Sequence, residues 1–534
     1  MAEEPLRPTN PLVSPLLNDL YQLNMAYAYW RAGRQDDPAV FDLFFRRCPF
    51  QGEFALFAGL EEALRLLSSF RFDDEQIAYL RTILPHADPA FFDWAATMDC
   101  SKVRVSAMRE GTMVFPREPL LRVEGPLAIT QLLETPLLNL VNYATLVATN
   151  AARFRLAAGP DKTLLEFGLR RAQGPDGGVS ASRYCYMAGW DATSNTLAGQ
   201  LFDIPVAGTM AHSFISSFGG FEDLKDHTIT GPDGTVHDFV ELVLRCREEL
   251  EFTATSDGEL AAFVAFAQAF PNGFLALVDT YNTLNSGIPN FIVLAVVLTR
   301  LGFKPLGLRL DSGDLAYLSS RAREMLSDAR PRTSVDLSRL KIAASNDINE
   351  DTLLALNQQS HEIDLYGIGT HLVTCQKQPA LGGVYKLAEV RSEPCTKLSE
   401  IAERRALPGR KEVYRLILSS GLPFVDLMTR VEDDPPEAGK PVVCRDLFNE
   451  LHRTEVTPAQ VIRLHHLVWD GGLTDYGLPS LQETRAHVFR ELRSMRSDHL
   501  RSLNPTPYKV SVSEQLYDFA HSLWLQQTPI ARVR

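Results

Sequence analysis

Between Thr163 and Thr370 the chain repeats one pattern six times: a short apolar run that stops at glycine or at polar and charged residues. Thr163–Phe167 stops at Gly168, Arg170 and Arg171, Pro205–Thr209 at Thr209 and His212, and Phe274–Val278 at Asp279. Leu306–Leu310 carries Arg309 and leads into Asp311, Gly313 and Asp314; Lys341–Ala344 stops at Ser345, Asn346 and Asp347; Ile363–Tyr366 stops at Gly367, Gly369 and Thr370. Helical spacing lies between most of these runs, as at Asn290–Leu301 and Asn349–Gln358. Strand alternating with helix implies a parallel sheet. Polar groups at the end of every strand favour a barrel, whose site forms at the carboxyl ends of its strands. An open doubly wound sheet instead gathers its site at one switch point. The expected fold is therefore α/β: an irregular TIM-like barrel over residues 151–384.

The flanks read differently. Residues 1–150 predict a mixed α/β sandwich domain, with a helix over 15–30, a strand over Phe41–Phe45, a helix over Glu61–Leu67 and a long helix over Ala128–Ala158 broken near Pro136. Short strands return over 385–430 and are expected to complete that domain. VEDDPPEAGKP, Val431–Pro441, is acidic and proline-rich and reads as a linker. A smaller C-terminal domain, 442–534, would follow, with helices at Ser480–His499 and Ser511–Leu525 and a capping box from Ser511 to Glu514. Residues 218–260 read as an insertion over the barrel, with a helix near Asp238–Leu250.

The balance of 53 basic against 66 acidic residues, a net charge of -13, argues against a nucleic-acid surface or an anionic-membrane surface. The seven cysteines are odd in number and show no CxxC spacing, so they predict neither a disulfide framework nor a zinc site and point to a reducing compartment, the cytosol. The opening MAEEPLRPTNP lacks the features of a signal peptide, and the longest apolar run, Phe291–Leu298, is short for a bilayer span.

The strand ends carry the chemistry. In LGLRLDSGD, Arg309 can fork onto phosphate oxygens while Asp311 and Asp314 offer hard ligands for Mg2+, directly or through water. His212, in VAGTMAHSF, has an imidazole nitrogen competent to attack phosphorus, and a carboxylate such as Asp279 could fix its opposite nitrogen. The residue before it is Ala211, so no adjacent acid supports the ring. GIGT, Gly367–Thr370, offers bare amides and a hydroxyl as a phosphate nest. The surface alternatives are an exposed ion pair, a packing histidine and an ordinary glycine turn.

Assembled in order, these motifs closely resemble the nicotinate phosphoribosyltransferase family, within the type II phosphoribosyltransferases. The resemblance runs through NDLYQLNM, FFRRCPFQGEFALFAGL, QLLETPLLNLVNYATLVATNAAR, LLEFGLRRAQGPDGG, AGTMAHSF, VDTYNTLNSGIPNF, GLRLDSGD, SNDINE, GIGTHLVTCQKQPALGGVYKL and KLSE with LPG. It implies that nicotinate and 5-phosphoribosyl 1-diphosphate give nicotinate mononucleotide and diphosphate, coupled to ATP hydrolysis, in NAD biosynthesis. It implies Mg2+ (or Mn2+), ATP as co-substrate, and a head-to-tail homodimer with shared active sites. By the same carry-over His212 is transiently phosphorylated, and Arg309, Asp311 and Asp279 line the phosphoribosyl and diphosphate region with the metal. Gly367, Gly369 and Thr370 hold the 5′-phosphate. Phe167 and, from the other subunit, Tyr21 sandwich the pyridine ring; Arg170 and Thr209 lie near the ring and its carboxylate. Asn195, in ATSNTLAG, stands where the related nicotinamide enzyme carries an aspartate, and would donate to the nicotinate carboxylate. The competing readings are a quinolinate- or nicotinamide-type phosphoribosyltransferase and a catalytically silent scaffold.

Overall fold

The computed structural model describes residues 6–397, 406–449 and 451–527. The KLSE segment lies outside them apart from Lys397. The chain divides into two compact units: Met1–Ala152 with Met187–Gly189 and Lys377–Arg534, and Arg153–Tyr186 with Trp190–Gln376.

The second unit holds the repeated pattern. Its strands are β1 (Thr163–Glu166), β2 (Ala192–Thr193), β3 (Leu275–Leu277), β4 (Gly307–Leu310), β5 (Lys341–Ala344) and β6 (Leu365–Ile368). They form one sheet in the order β3-β4-β5-β6-β1-β2, and every pair is parallel. Gly307 fits here because a Cβ would lie 1.9 Å from the Lys341 carbonyl of the next strand. The expected strand Pro205–Thr209 is reduced to a single parallel bridge, Thr193 to Val206. On its other side the Thr209 hydroxyl donates to the Leu275 carbonyl of β3 at 2.6 Å. The ring of strands is thus joined at this seam by a side chain and not by a backbone ladder. On the β2 side the segment pairs through the Pro205 carbonyl, which accepts from the Thr193 amide, and the Ala207 amide, which donates to the Thr193 carbonyl, both at 3.0 Å; Pro205 itself has no amide hydrogen to give.

Helices connect the strands. Ile288–Arg300 is almost wholly buried, which explains why it is apolar all round. With the preceding turn, Thr283–Arg300 has the length and a mean hydropathy, 1.2, that could span a bilayer, longer than the apolar run read from the sequence, but 72% of it is buried. Asp314, expected beside Asp311 as a metal ligand, instead starts the helix Leu315–Thr333: its Oδ1 accepts from the Tyr317 amide at 3.0 Å. The buried Arg153 and Glu350 pair at 3.0 Å.

The first unit contains two six-stranded sheets. One is antiparallel and places Pro38–Phe45 between Gly383–Val390 and Leu121–Pro126, with Arg104–Met108 and His465–Asp470 beyond. The other joins Lys411–Ile417 and Pro423–Arg430 to Val442–Arg445, Arg453–Val456, Gln460–Arg463 and Lys509–Ser513 around buried Leu416, Val425, Leu427 and Cys444. Two readings are corrected here. The stretch 431–441 is a loop between strands of one sheet, not a linker between domains. Ser511 is not a helix cap but lies in the strand Lys509–Ser513, whose period-2 KVSVS pairs with both Pro423–Arg430 and Val442–Arg445; Ser513 accepts from the Leu516 amide at the start of Glu514–Gln527. The long helix is broken one turn earlier than expected, into Leu127–Leu132 and Glu134–Ala158.

Candidate active site

A cleft of about 180 Å3 opens at the carboxyl ends of the barrel strands. Phe167, Arg170 and Arg171 follow β1; Arg309 and Asp311 come from β4; Ser345, Asn346 and Asp347 follow β5; Gly367, Gly369 and Thr370 come from the end of β6. Three guanidinium groups against two carboxylates make the lining suited to an anion.

The glycines serve closeness. A Cβ on Gly367 would lie 2.5 Å from the Phe167 ring, and one on Gly369 would lie 2.9 Å from the Phe167 carbonyl. The ring therefore rests on bare backbone. β6 is shifted two residues later than the sequence suggested, so Gly367 lies inside the strand. Asn346 and Asp347 have φ values of 101° and 35°, an uncommon left-handed pair for non-glycine residues, and both line the cleft.

Arg309 is held in place before any ligand enters. Its Nε donates to Ser345 Oγ at 3.0 Å and Nη1 to the Met210 carbonyl at 3.4 Å, while Nη2 lies 3.5 Å from Asp311 Oδ1. The Ser345 hydroxyl in turn donates to Asp311 Oδ1 in a short hydrogen bond. Asp279 Oδ2 accepts from the Asp311 amide at 2.8 Å and from the Ser312 hydroxyl at 2.6 Å. Its other oxygen, Oδ1, is buried with no hydrogen-bond partner.

His212 opens the short helix His212–Ser216. Its Nε2 is 3.6 Å from Asp311 Oδ2 and 4.0 Å from Asp279 Oδ1, so the ring faces both carboxylates. The expectation that Asp279 secures the opposite nitrogen is corrected: Nδ1 meets the Thr280 hydroxyl at 3.1 Å.

Two expected ring-binding residues are engaged elsewhere. Asn195 is 1% exposed and does not line the cleft. Its Nδ2 donates to Ser182 Oγ at 3.2 Å and toward the Gly178 carbonyl at 3.5 Å, and its Oδ1 caps Thr196–Phe202. Both donors of the amide are therefore occupied. Thr209 supplies its hydroxyl hydrogen to the barrel seam. Tyr21 lies in the other compact unit, on the helix Leu20–Arg31, about half exposed. Partial burial and then Glu134 raise its phenol above the ordinary range.

Sequence reading missed three contributors: Thr280, Ser312 and Glu166. The first two are hydroxyls at strand ends, too common a signal to single out. Glu166, buried at the end of β1, accepts from the Ser182 and Thr193 hydroxyls at 2.7 and 2.5 Å and, through its other oxygen, from the Gly168 amide. It fixes the turn from which Phe167 and Arg170 project. The only sign in the sequence was an acid inside an otherwise apolar strand.

Among the described residues no group of three or more His, Cys, Asp or Glu forms a ready metal cage. The orphaned Asp279 oxygen and the partly exposed Asp311 still fit a hard cation that keeps most of its waters or substrate oxygens.

Comparison with known proteins settles the family. Residues 16–142 match the nicotinate phosphoribosyltransferase N-terminal domain and residues 410–520 the C-terminal domain. A nicotinate phosphoribosyltransferase of Dictyostelium discoideum is 51% identical over 541 residues, covering 100% of this chain and 92% of that protein. The chain belongs to the nicotinate phosphoribosyltransferase family. It is accordingly an enzyme. A Homo sapiens member is 47% identical, covering 96% of this chain and 97% of the relative. The crystal structure of human nicotinic acid phosphoribosyltransferase superposes with a TM-score of 0.85 at 44% identity, covering 95% of this chain and 99% of that one.

Proposed function

We propose that this enzyme joins nicotinate to 5-phosphoribosyl 1-diphosphate, giving nicotinate mononucleotide and diphosphate, and that it couples this step to ATP hydrolysis through a phosphohistidine at His212. The observation that carries the reading is the pairing, in one cleft, of an aromatic ring seated on bare glycine with three arginines. It accommodates a flat ring and a phosphorylated sugar together.

Each residue then has a task. Phe167 stacks on the pyridine and keeps its nitrogen facing the sugar C1, while Arg170 pairs with the ring carboxylate. Thr370 and the amides around Gly367 and Gly369 hold the 5′-phosphate. Breaking the C1–oxygen bond builds positive charge on the sugar and negative charge on the diphosphate, and Arg309, fixed by Ser345, meets the latter. The pyridine nitrogen attacks with its own lone pair, so no general base is needed. Asp279 and Asp311 would hold Mg2+, which when bound supplies charge neutralisation at the diphosphate. His212 takes the γ-phosphoryl group of ATP within the same site. Tyr21 would complete the ring stack from the partner subunit of a homodimer, and NAD biosynthesis in the cytosol is the setting we assign. The seven cysteines, odd in number and without CxxC spacing, accord with a reducing compartment.

The test is product formation from purified protein with nicotinate, phosphoribosyl diphosphate and Mg2+, with and without ATP, for wild type and His212→Ala. Nicotinate mononucleotide from wild type, with ATP stimulation lost in the variant, is the expected result. Equal product in all four conditions would remove the phosphohistidine. Preference for nicotinamide or quinolinate in direct competition would reassign the base.

A further inference from the structure

We infer that Gly168 and Val373 are positioning residues that set the distance between the ring subsite and the 5′-phosphate subsite. The inference rests on the reading of the cleft given above and adds to it what keeps the two halves in register.

The two subsites stand on neighbouring strands. Phe167 and Arg170 follow β1, and Gly369 and Thr370 follow β6. The ladder between these strands runs from Leu365 opposite Thr163 to Ile368 opposite Glu166, and the Phe167 amide extends it by donating to the Ile368 carbonyl at 2.8 Å. Past that bond, packing takes over.

Gly168 shows how. Its φ of -89° and ψ of -10° are open to residues other than glycine, so the backbone does not call for one. The space does. A Cβ there would lie 2.2 Å from Val373 Cγ1 and 2.6 Å from Cγ2. Val373 ends the helix Thr370–Val373, is wholly buried, and gives its amide to the Gly369 carbonyl at 3.2 Å. Its side chain is β-branched and stiff about χ1, so it does not swing aside easily. The contact mirrors the one already described: Gly367 receives Phe167 from β1, and Gly168 receives Val373 from the helix after β6. Leu169 is seated in turn, since a Cβ on Gly178 would lie 2.7 Å from its Cδ1. Neither Gly168 nor Val373 is among the residues that line the cleft, so both act through others.

Nicotinate mononucleotide is the ligand that feels this spacing. Its pyridine and its phosphate are covalently joined, so both ends bind together only where the subsites are the right distance apart; nicotinate or ribose 5-phosphate alone needs one of them. Gly168→Ala puts a methyl group where carbon contacts require about 3.5 Å, so the turn and the helix must part by roughly 1 Å.

Calorimetric titration of the full-length enzyme, without ATP, measures nicotinate, ribose 5-phosphate and nicotinate mononucleotide against wild type, Gly168→Ala, Val373→Ala and the double variant. Expected for Gly168→Ala is mononucleotide affinity lowered about tenfold or more, with each fragment held to within about threefold. Val373→Ala leaves the seat slack and should weaken the mononucleotide about threefold. The double variant should recover most of the loss in Gly168→Ala, because the new methyl takes the space that the valine methyls vacate and then meets Glu166 Oε1 at 3.0 Å. General damage to the fold would lower all three affinities or the binding-competent fraction together. Mononucleotide affinity in Gly168→Ala that is unchanged, or lowered no more than the fragments combined, overturns the inference. So does a double variant no better than Gly168→Ala. Should Gly168→Ala not fold, the double variant carries the test: mononucleotide affinity above that of Val373→Ala supports the seat, and affinity no higher overturns it. A wild type that binds neither nicotinate nor its mononucleotide overturns the reading of the cleft; a wild type that binds both, with an indifferent Gly168→Ala, removes the Gly168–Val373 seat alone.

Discussion

Gly367→Ala adds one methyl group, and the structure says where it goes. The new Cβ would stand 2.5 Å from one Phe167 ring carbon and 2.6 Å from another. Carbon atoms rest at about 3.5–4.0 Å, so the ring must retreat by roughly 1 Å. Overpacking of this kind costs about 1–3 kcal/mol in stability. A reacting group displaced by about 1 Å can lose on the order of 100-fold in rate. The expected outcome is a fall of about 10–100-fold in kcat/KM for nicotinate, with Tm lowered by about 2–4 °C per kcal/mol for a unit of this size. Steady-state kinetics and thermal unfolding measure the two effects separately. Gly472→Ala, where nothing lies within 4 Å, is the control and should change neither. Adding Phe167→Leu to Gly367→Ala should recover Tm without recovering activity, because the smaller side chain relieves the clash but cannot stack. A Gly367→Ala enzyme with wild-type kinetics would refute the argument that glycine is there to seat the ring.

His487 on the helix Leu481–Ser494 is held down to about 4 by burial first and then by Arg109, Arg490 and Arg415. The unfolded chain takes up this proton near pH 6.5 and the folded one does not. Stability is therefore full above pH 6.5 and falls toward pH 4, by about 2–3 kcal/mol after allowing for partial exposure. His487→Gln should flatten that slope in urea unfolding at pH 7 and 4.5; an unchanged slope would assign the acid sensitivity elsewhere. Asn195→Asp should not switch base preference but should destabilise, by about 3 kcal/mol or more, because a second carboxylate would join the buried Glu166 and Ser182 network. A stable variant that prefers nicotinamide would restore Asn195 to the ring site. Thr209→Val should cost about 1 kcal/mol by unlacing the barrel seam, visible as faster amide exchange over 206–209, and matching exchange rates would show that the seam is held otherwise.

The barrel was legible because its strands share one design, and β5 falls where its residues alone placed it, at Lys341–Ala344. Misreadings arose where one residue type serves two purposes. Asp314 and Asn195 look like ligands, yet each caps a helix, since the short polar side chain that binds a substrate also satisfies an orphan amide. Gly367 was read as the end of a strand, but here it is inside one, chosen for the ring above it. Ser511 shows the converse: the helix that follows it is real, but alternation in KVSVS, fixed by partners at Asp426, Leu427 and Arg445, claimed the serine for a sheet. The hydrogen bonds of Thr280 and Glu166 join residues on different strands and helices, and no local pattern reports them.

The first unit is built from both sides of the chain, with the barrel unit inserted between. Leu43 is paired with Tyr385, so a strand made early waits for one made much later. At about 5–20 residues per second, synthesis of the roughly 340 intervening residues takes on the order of 20–70 s. During that interval Pro38–Phe45, which becomes buried over almost its whole length, has one of its two neighbours missing. An unpaired apolar edge is an aggregation hazard on the ribosome. The chain returns beside its point of departure, where Asn142 accepts from the Gly383 amide at 2.9 Å. A barrel that folds as soon as it is made would therefore shorten the loop that must close, making its folding a timer for the completion of its host.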